Sequence, residues 1–211
     1  MSADQQRAHE ILDVAARLFY ERGYPSVSTR ALAQAAGIQG GSLYHHFASK
    51  EEMLHRICLY GSEGFFAELI PILSRHGPFS ERLDEFVRAY VLRFWERRYP
   101  IAVLFRESDH LSPDHAQELR VVRRRFQQKF QRFVADGLAA GEFTVPDAKV
   151  AGIAILDMLN GIDHWKRPTG RLGVEEVAET YAVLVSQLAC ARPRDAVDGA
   201  GDRRTRKGAS A

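Results

Sequence analysis

Apolar positions at Ala8, Ile11, Leu12, Ala15, Leu18 and Phe19 follow the i, i+3, i+4, i+7 series of one helical face, which predicts an amphipathic helix ending at Gly23. A shorter helix is expected from Ser28 as N-cap through Ala31, Leu32, Ala35 and Ala36, with Gly37 where the chain must leave the helical conformation. A third begins near Gln39. Two short helices joined by a glycine-containing turn make a helix-turn-helix, and the first helix supplies support the pair lacks alone. Ser49 and Glu52 then have the S-x-x-E spacing of a capping box, so a fourth helix starts near Lys50 and carries Met53, Leu54, Ile57, Phe65, Leu69 and Leu73 toward the Gly77-Pro78 break. Ser80, Ser112 with Pro113, Asp147, and Gly173 before Glu175 and Glu176 mark further starts. No segment sustains period-two alternation. The expected fold is all-α: a small three-helix helix-turn-helix domain over residues 1–48, then a larger helical bundle over residues 49–191.

The third helix has two unlike faces. Leu43 and Phe47 lie four apart and can pack on Leu32, Ile38 and the first helix. At about 100° per residue, Gly41, Tyr44 and His45 point the other way, with Gly40 and Ser42 on the flanks. A major groove admits one such helix, and glycines let its backbone approach the phosphate walls. Lys50 and the next helix N-terminus lie beside this face, where a phosphate would be attracted. His46 falls near the Leu43 side and reads as a packing residue.

Charge alone does not argue for nucleic acid. The net charge is +2, but residues 192–211 hold six Lys/Arg against three Asp and contribute +3, leaving the body at −1. That tail has Val197 as its one apolar side chain larger than alanine, so a disordered basic tail is expected. Cys58 and Cys190 stand far apart, in no metal-ligand or disulfide pattern, and read as buried small hydrophobes. No apolar run approaches the roughly 18 residues of a spanning helix, and MSADQQRAHE lacks a signal-peptide core. A cytoplasmic protein with no membrane partner is expected. Glu107 and His110 make a single E-x-x-H without a second copy, and no nucleophile elbow, P-loop or H-E-x-x-H occurs, so neither enzyme activity, nor a metal, nor a cofactor is expected.

The string AARLFYERGYPSVSTRALAQAAGIQGGSLYHHFASKEEML, residues 15–54, resembles the DNA-binding domain of the TetR family of bacterial transcriptional repressors. The resemblance implies that Gln39, Gly40, Ser42 and Tyr44, on the face that also presents Gly41, enter the groove of a double-stranded DNA operator. It implies that His45 and Lys50 contact phosphate and that Arg30 contacts backbone or base. Gly40 departs from the family, which commonly has Lys or Arg there. In that family the larger domain encloses a ligand pocket; Phe66, Tyr90, Phe94, Phe105, Phe126, Phe130 and Met158 are its expected wall, although a bundle core explains most of the aromatics. The apolar surface of the last two helices, including Val150, Ile153, Ile155, Leu156, Met158, Val177, Tyr181, Leu184, Val185 and Leu188, is expected to form an intersubunit four-helix bundle. TetR proteins are dimers of this kind, and a homodimer suits a palindromic operator.

Residues 161–181, GIDHWKRPTGRLGVEEVAETY, resemble the C-terminal region of members that respond to acyl-CoA thioesters. This implies a long apolar slot for the acyl chain, with arginines on the CoA phosphates. Arg167, Arg120, Arg123, Arg124 and Arg125 are available, although RVVRRRF also reads as a solvated helix face. Trp165 reads equally as pocket wall or dimer anchor. A repressor of efflux that responds to hydrophobic drugs, and a ligand-independent DNA-binding protein, are the alternatives, and repression versus activation stays open.

Overall fold

Three helix starts are held by the side chains that the sequence marks. Ser28 Oγ accepts from the Ala31 N–H at 3.2 Å, Ser49 Oγ from Glu52 at 3.0 Å, and Asp147 Oδ1 from Val150 at 2.8 Å. Each satisfies a backbone donor with no partner inside its helix, a contribution of about 1 kcal/mol. The computed structural model describes residues 3–167 and 169–190. The basic tail expected at 192–211 lies outside the described residues.

Ten α-helices follow one another among the described residues: α1 Ala3–Arg22, α2 Thr29–Ala35, α3 Gly40–His46, α4 Lys50–Ser74, α5 Phe79–Glu96, α6 Arg98–Glu107, α7 Pro113–Ala139, α8 Ala148–Asn160, α9 Ile162–Trp165 and α10 Val174–Cys190. A 3₁₀ turn, Ser108–His110, joins α6 to α7. Gly37, at φ 65°, makes the turn between α2 and α3 in a conformation that favours glycine.

The Ser80 start is displaced by a distant carboxylate. α5 begins at Phe79, and the Ser80 N–H and Oγ both donate to Glu142, at 3.0 and 3.1 Å, from the α7–α8 connection. Ser112 likewise makes no side-chain cap; its N–H donates to Glu51 Oε1 of α4 at 2.9 Å.

Two apolar clusters form the core. The first joins Ile11 and Phe19 of α1, Leu32 of α2, Leu43 of α3 and Phe47 just after it to Met53, Leu54 and Ile57 of α4, Val103 and Leu104 of α6 and Leu119 of α7. Packing therefore continues past residue 48. The second is built on Phe65 and Leu69 of α4, Phe86, Tyr90 and Phe94 of α5, Phe130 of α7, Ile155 of α8 and Val185 of α10. α4 belongs to both. By length and composition it could cross a bilayer, but 50% of its most apolar window is buried in these cores, as in the central helix of a folded bundle. Gly61 is where α6 crosses it, since a Cβ there would stand 3.2 Å from Pro100.

The expectation of two buried cysteines holds for Cys58 alone. Cys190 is exposed at the end of α10. Burial pushes the Cys58 thiol up to about 12, so it stays protonated. The expected dimer surface also divides: Ile155, Leu156, Val177, Tyr181 and Val185 are used inside the protomer, whereas Val150, Leu184 and Leu188 are exposed together with Val183 and Trp165.

Candidate DNA-binding face and effector cavity

Leu43 and Phe47 anchor α3 in the first core and so fix what it presents outward. Gln39, Gly40, Gly41, Tyr44 and His45 are exposed, Ser42 is half-buried, and Arg30 is exposed on the adjoining α2. Tyr44 is 57% exposed, unusual for a tyrosine with no partner ring, and its hydroxyl lies 3.5 Å from Thr29 Oγ1. No other atom comes within 4 Å of where a Cβ would stand on Gly40 or Gly41. Internal packing does not require these glycines, so the small size of this surface acts outward. Thr29 and Gln34, not singled out from the sequence, share the α2–α3 groove with Arg30 and Tyr44. The available signal was spacing, for Gln34 stands four residues after Arg30 on the same helix. His46 is half-buried, with Nδ1 3.3 Å from Asp4, in keeping with a packing role.

Lys50, expected to contact phosphate, is engaged within the protein. Its Nζ donates to the carbonyls of Tyr24 and Val27, both at 2.8 Å, and stands 4.1 Å from the centre of the Tyr24 ring. Loss of hydration lowers its pKa. Two of three donors thus bind α4 to the α1–α2 turn. The neighbouring helix terminus is also occupied: Ser49 takes the Glu52 N–H, and Glu52 Oε2 takes the Ala48 N–H at 2.5 Å. Acidic Glu51 and Glu52 already face the positive end of the helix dipole.

At the other end of α4, a cavity of about 100 Å³ lies among α4, α5, α6, α7 and α8. Of the expected wall, Phe66, Tyr90, Phe105 and Phe126 line it, with Phe66 stacked on Phe126 at 4.0 Å. Phe94 and Phe130 do not. Each is fully buried behind the wall, Phe94 stacked 6.3 Å from Phe105 and Phe130 4.7 Å from Phe86. One helical turn separates them from Tyr90 and Phe126, enough to shift them from lining to core. Met158 packs on the larger core, and Trp165 stacks on Tyr181 while its Nε1 donates to the Tyr181 hydroxyl at 3.1 Å; neither residue lines the cavity, nor does exposed Arg167. The pocket is also too small for the long slot expected.

The α7 arginines have separate surroundings. Arg123 is half-buried, lines the cavity, and holds its guanidinium 5.3 Å from the Phe105 ring centre. Arg120 donates to Gln117 at 2.9 Å, Arg124 lies on the outer face, and Arg125 lines a separate surface cleft with Arg82, Lys129 and Arg132. Gln127, Ile153, Leu156, Asp157 and Asn160 complete the cavity. The sequence reading missed their role, although Ile153, Leu156, Asp157 and Asn160 form an i, i+3, i+4, i+7 stripe on α8. The Tyr90 hydroxyl donates to Asn160 Oδ1, and burial raises its pKa. Glu107 and His110 form a local contact of 3.5 Å, and no group of three His, Cys, Asp or Glu suited to a metal occurs among the described residues.

An exposed polar recognition helix on a three-helix base, joined by one long helix to a bundle with an aromatic cavity, defines a helix-turn-helix DNA-binding regulator with a helical regulatory domain. The profile of bacterial regulatory proteins of the tetR family matches residues 11–57, and that of the tetracyclin repressor-like C-terminal domain matches residues 76–189. The chain belongs to the TetR family of transcriptional regulators. It is 30% identical over 186 residues to the HTH-type transcriptional repressor KstR2 of Rhodococcus jostii strain RHA1, covering 87% of this chain and 91% of that protein. Among solved structures, the TetR family regulator PfmR from Thermus thermophilus superposes with a TM-score of 0.78 at 35% identity, covering 84% of this chain and 97% of that one. The ketosteroid transcriptional regulator KstR2 of Mycobacterium tuberculosis gives a TM-score of 0.79 at 27% identity, covering 87% and 95%.

Proposed function

We propose that this protein is a cytoplasmic repressor that binds a palindromic operator as a homodimer and is released from it by the CoA thioester of an apolar acid. The observation that carries the reading is the continuity of α4. It starts at the Lys50 clamp on the recognition domain and supplies Phe66 to the cavity wall. At 1.5 Å per residue those points are about 24 Å apart on one rod. A ligand that binds the cavity more tightly when α4 is tilted would move the DNA-binding domains and favour the state that does not fit the operator. The name repressor carried by KstR2 supports repression.

In this reading Gln39, Gly40, Gly41, Ser42 and Tyr44 face the groove, and His45 and Arg30 contact the backbone or base edges. Thr29 and Gln34 join them, and Lys50 positions the helices that make the contacts. Val150, Trp165, Val183, Leu184 and Leu188 supply an exposed apolar surface for the second copy of the chain. Arg123, beside Phe66, Phe105 and Phe126 in the wall, favours a ligand with a hydrogen-bond acceptor over a hydrocarbon drug. The test uses an operator selected from duplex fragments, labelled, and titrated with free acids, their CoA esters and unrelated apolar drugs. Release by CoA esters alone supports the reading; release by drugs alone, or by nothing, contradicts it.

A further inference from the structure

The size and chemistry of the cavity limit what part of an effector it can take. An apolar protein cavity of about 150 Å³ holds one benzene molecule. On that scale the 100 Å³ here holds about four or five carbons. A fused-ring acid does not fit, nor does a long chain. Phe66, Phe105, Phe126, Ile153 and Leu156 make the apolar lining, against which a small branched or unsaturated group would lose its water without needing a polar partner.

The polar part of the lining is of a second kind. Arg123 has no hydrogen bond or ion pair among the described residues, although it is half-buried. It lines the cavity with its guanidinium 5.3 Å from the Phe105 ring centre, which places the charge beside the apolar lining. A thioester carbonyl entering the cavity would accept a hydrogen bond from Arg123 while bringing no charge into the apolar lining.

We infer that the cavity selects a short acyl group of about four or five carbons and that Arg123 donates to its thioester carbonyl. This rests on the effector reading above and narrows it to one class of thioester. Arg123 becomes a specificity-determining residue, with the rest of the coenzyme outside the aromatic wall.

Calorimetric titration of the full-length protein with acetyl-, butyryl-, 3-methylbutyryl-, octanoyl- and palmitoyl-CoA, a fused-ring steroid-acid CoA ester and the free short acids tests it, with operator release measured in parallel. Butyryl- and 3-methylbutyryl-CoA are expected to bind at least about ten-fold more tightly than the long and fused-ring esters, because the latter cannot bury their acyl part. The free acids are expected not to release DNA. Arg123→Gln should weaken short-acyl ester binding by about ten-fold or more, the loss of a hydrogen bond from a charged donor, with wild-type helical content retained in circular dichroism. Ile153→Ala, which enlarges the rim, should shift the preference toward octanoyl-CoA. Tighter binding of the long or fused-ring esters overturns the inference but keeps the CoA-ester reading. Failure of every ester to bind removes both. Unchanged short-acyl affinity in Arg123→Gln overturns the assignment of Arg123.

Discussion

Replacing Lys50 with alanine separates a lysine that holds the recognition domain together from one that grips DNA. The side chain donates at 2.8 Å to both the Tyr24 and Val27 carbonyls and stands 4.1 Å from the Tyr24 ring centre. Hydrogen bonds from a charged donor contribute about 1.5–3 kcal/mol each when buried, and a cation over a ring about 0.5–1 kcal/mol at an exposed site. Lys50 is half-buried, and both carbonyls can turn partly to water once it is gone, which brings the expected loss to about 1–2 kcal/mol. For a chain of this size that is a fall of about 3–6 °C in the thermal midpoint. Operator affinity should fall as well, because α2 and α3 lose their fixed relation to α4. Salt dependence distinguishes the two roles. Each phosphate contact adds about 0.9 to the magnitude of the slope of log K against log salt. Lys50→Ala should keep the wild-type slope while shifting the whole line to weaker binding. An unchanged midpoint with a slope reduced by about 1.8 per dimer would refute the clamp and restore the phosphate contact.

The open space around Gly40 makes the opposite test possible: Gly40→Lys meets no atom within 4 Å of its Cβ and should steepen the salt slope by about 0.9 per subunit, with tighter binding in fluorescence anisotropy. Leu184→Glu places a charge on the exposed α10 surface and should convert the dimer to monomer in sedimentation equilibrium, with operator binding lost at the same protein concentration. Burial acts to raise the pKa of Glu51, but the Ser112 N–H and His115 outweigh it and hold the carboxyl below its ordinary value of 4.5. Its depressed folded-state pKa means that Glu51 stabilises the protein above about pH 4.5 and that this is lost as pH falls through the lower folded value. Glu51→Gln should therefore lower the urea midpoint at pH 7, and the gap from wild type should narrow with acidification below that point.

The recognition helix was legible because its constraints are local. Leu43 and Phe47 set the buried face, and Tyr44 and His45 then have nowhere to point but outward. The same holds for the caps at Ser28, Ser49 and Asp147, each three residues from the donor it satisfies. What failed to read from the sequence depended on partners remote along the chain. The charge on Lys50 says nothing of the two carbonyls more than twenty residues earlier that hold it, and Glu142 shifts the α5 start from 62 residues away. The cavity wall was read by residue type, so aromatic Phe94 and Phe130 were included and the α8 stripe ending at Asn160 was passed over. Distinguishing lining from core needs to know at which turn of each helix the neighbouring helices leave the cavity, which composition does not carry. Arg123 stood within a run of arginines, and α7 alone decides which of them turns inward.

The central claim is that occupation of the cavity and occupation of the operator exclude each other through α4. Its most direct test is the operator affinity of the wild-type protein, by anisotropy at fixed salt, without and with a saturating short-acyl CoA ester. A coupling of about 1–3 kcal/mol, typical of such switches, predicts that the ester weakens operator binding by about 5–150-fold, and by linkage the operator should weaken ester binding by the same factor. An operator affinity that stays the same while calorimetry shows the ester bound would contradict the account.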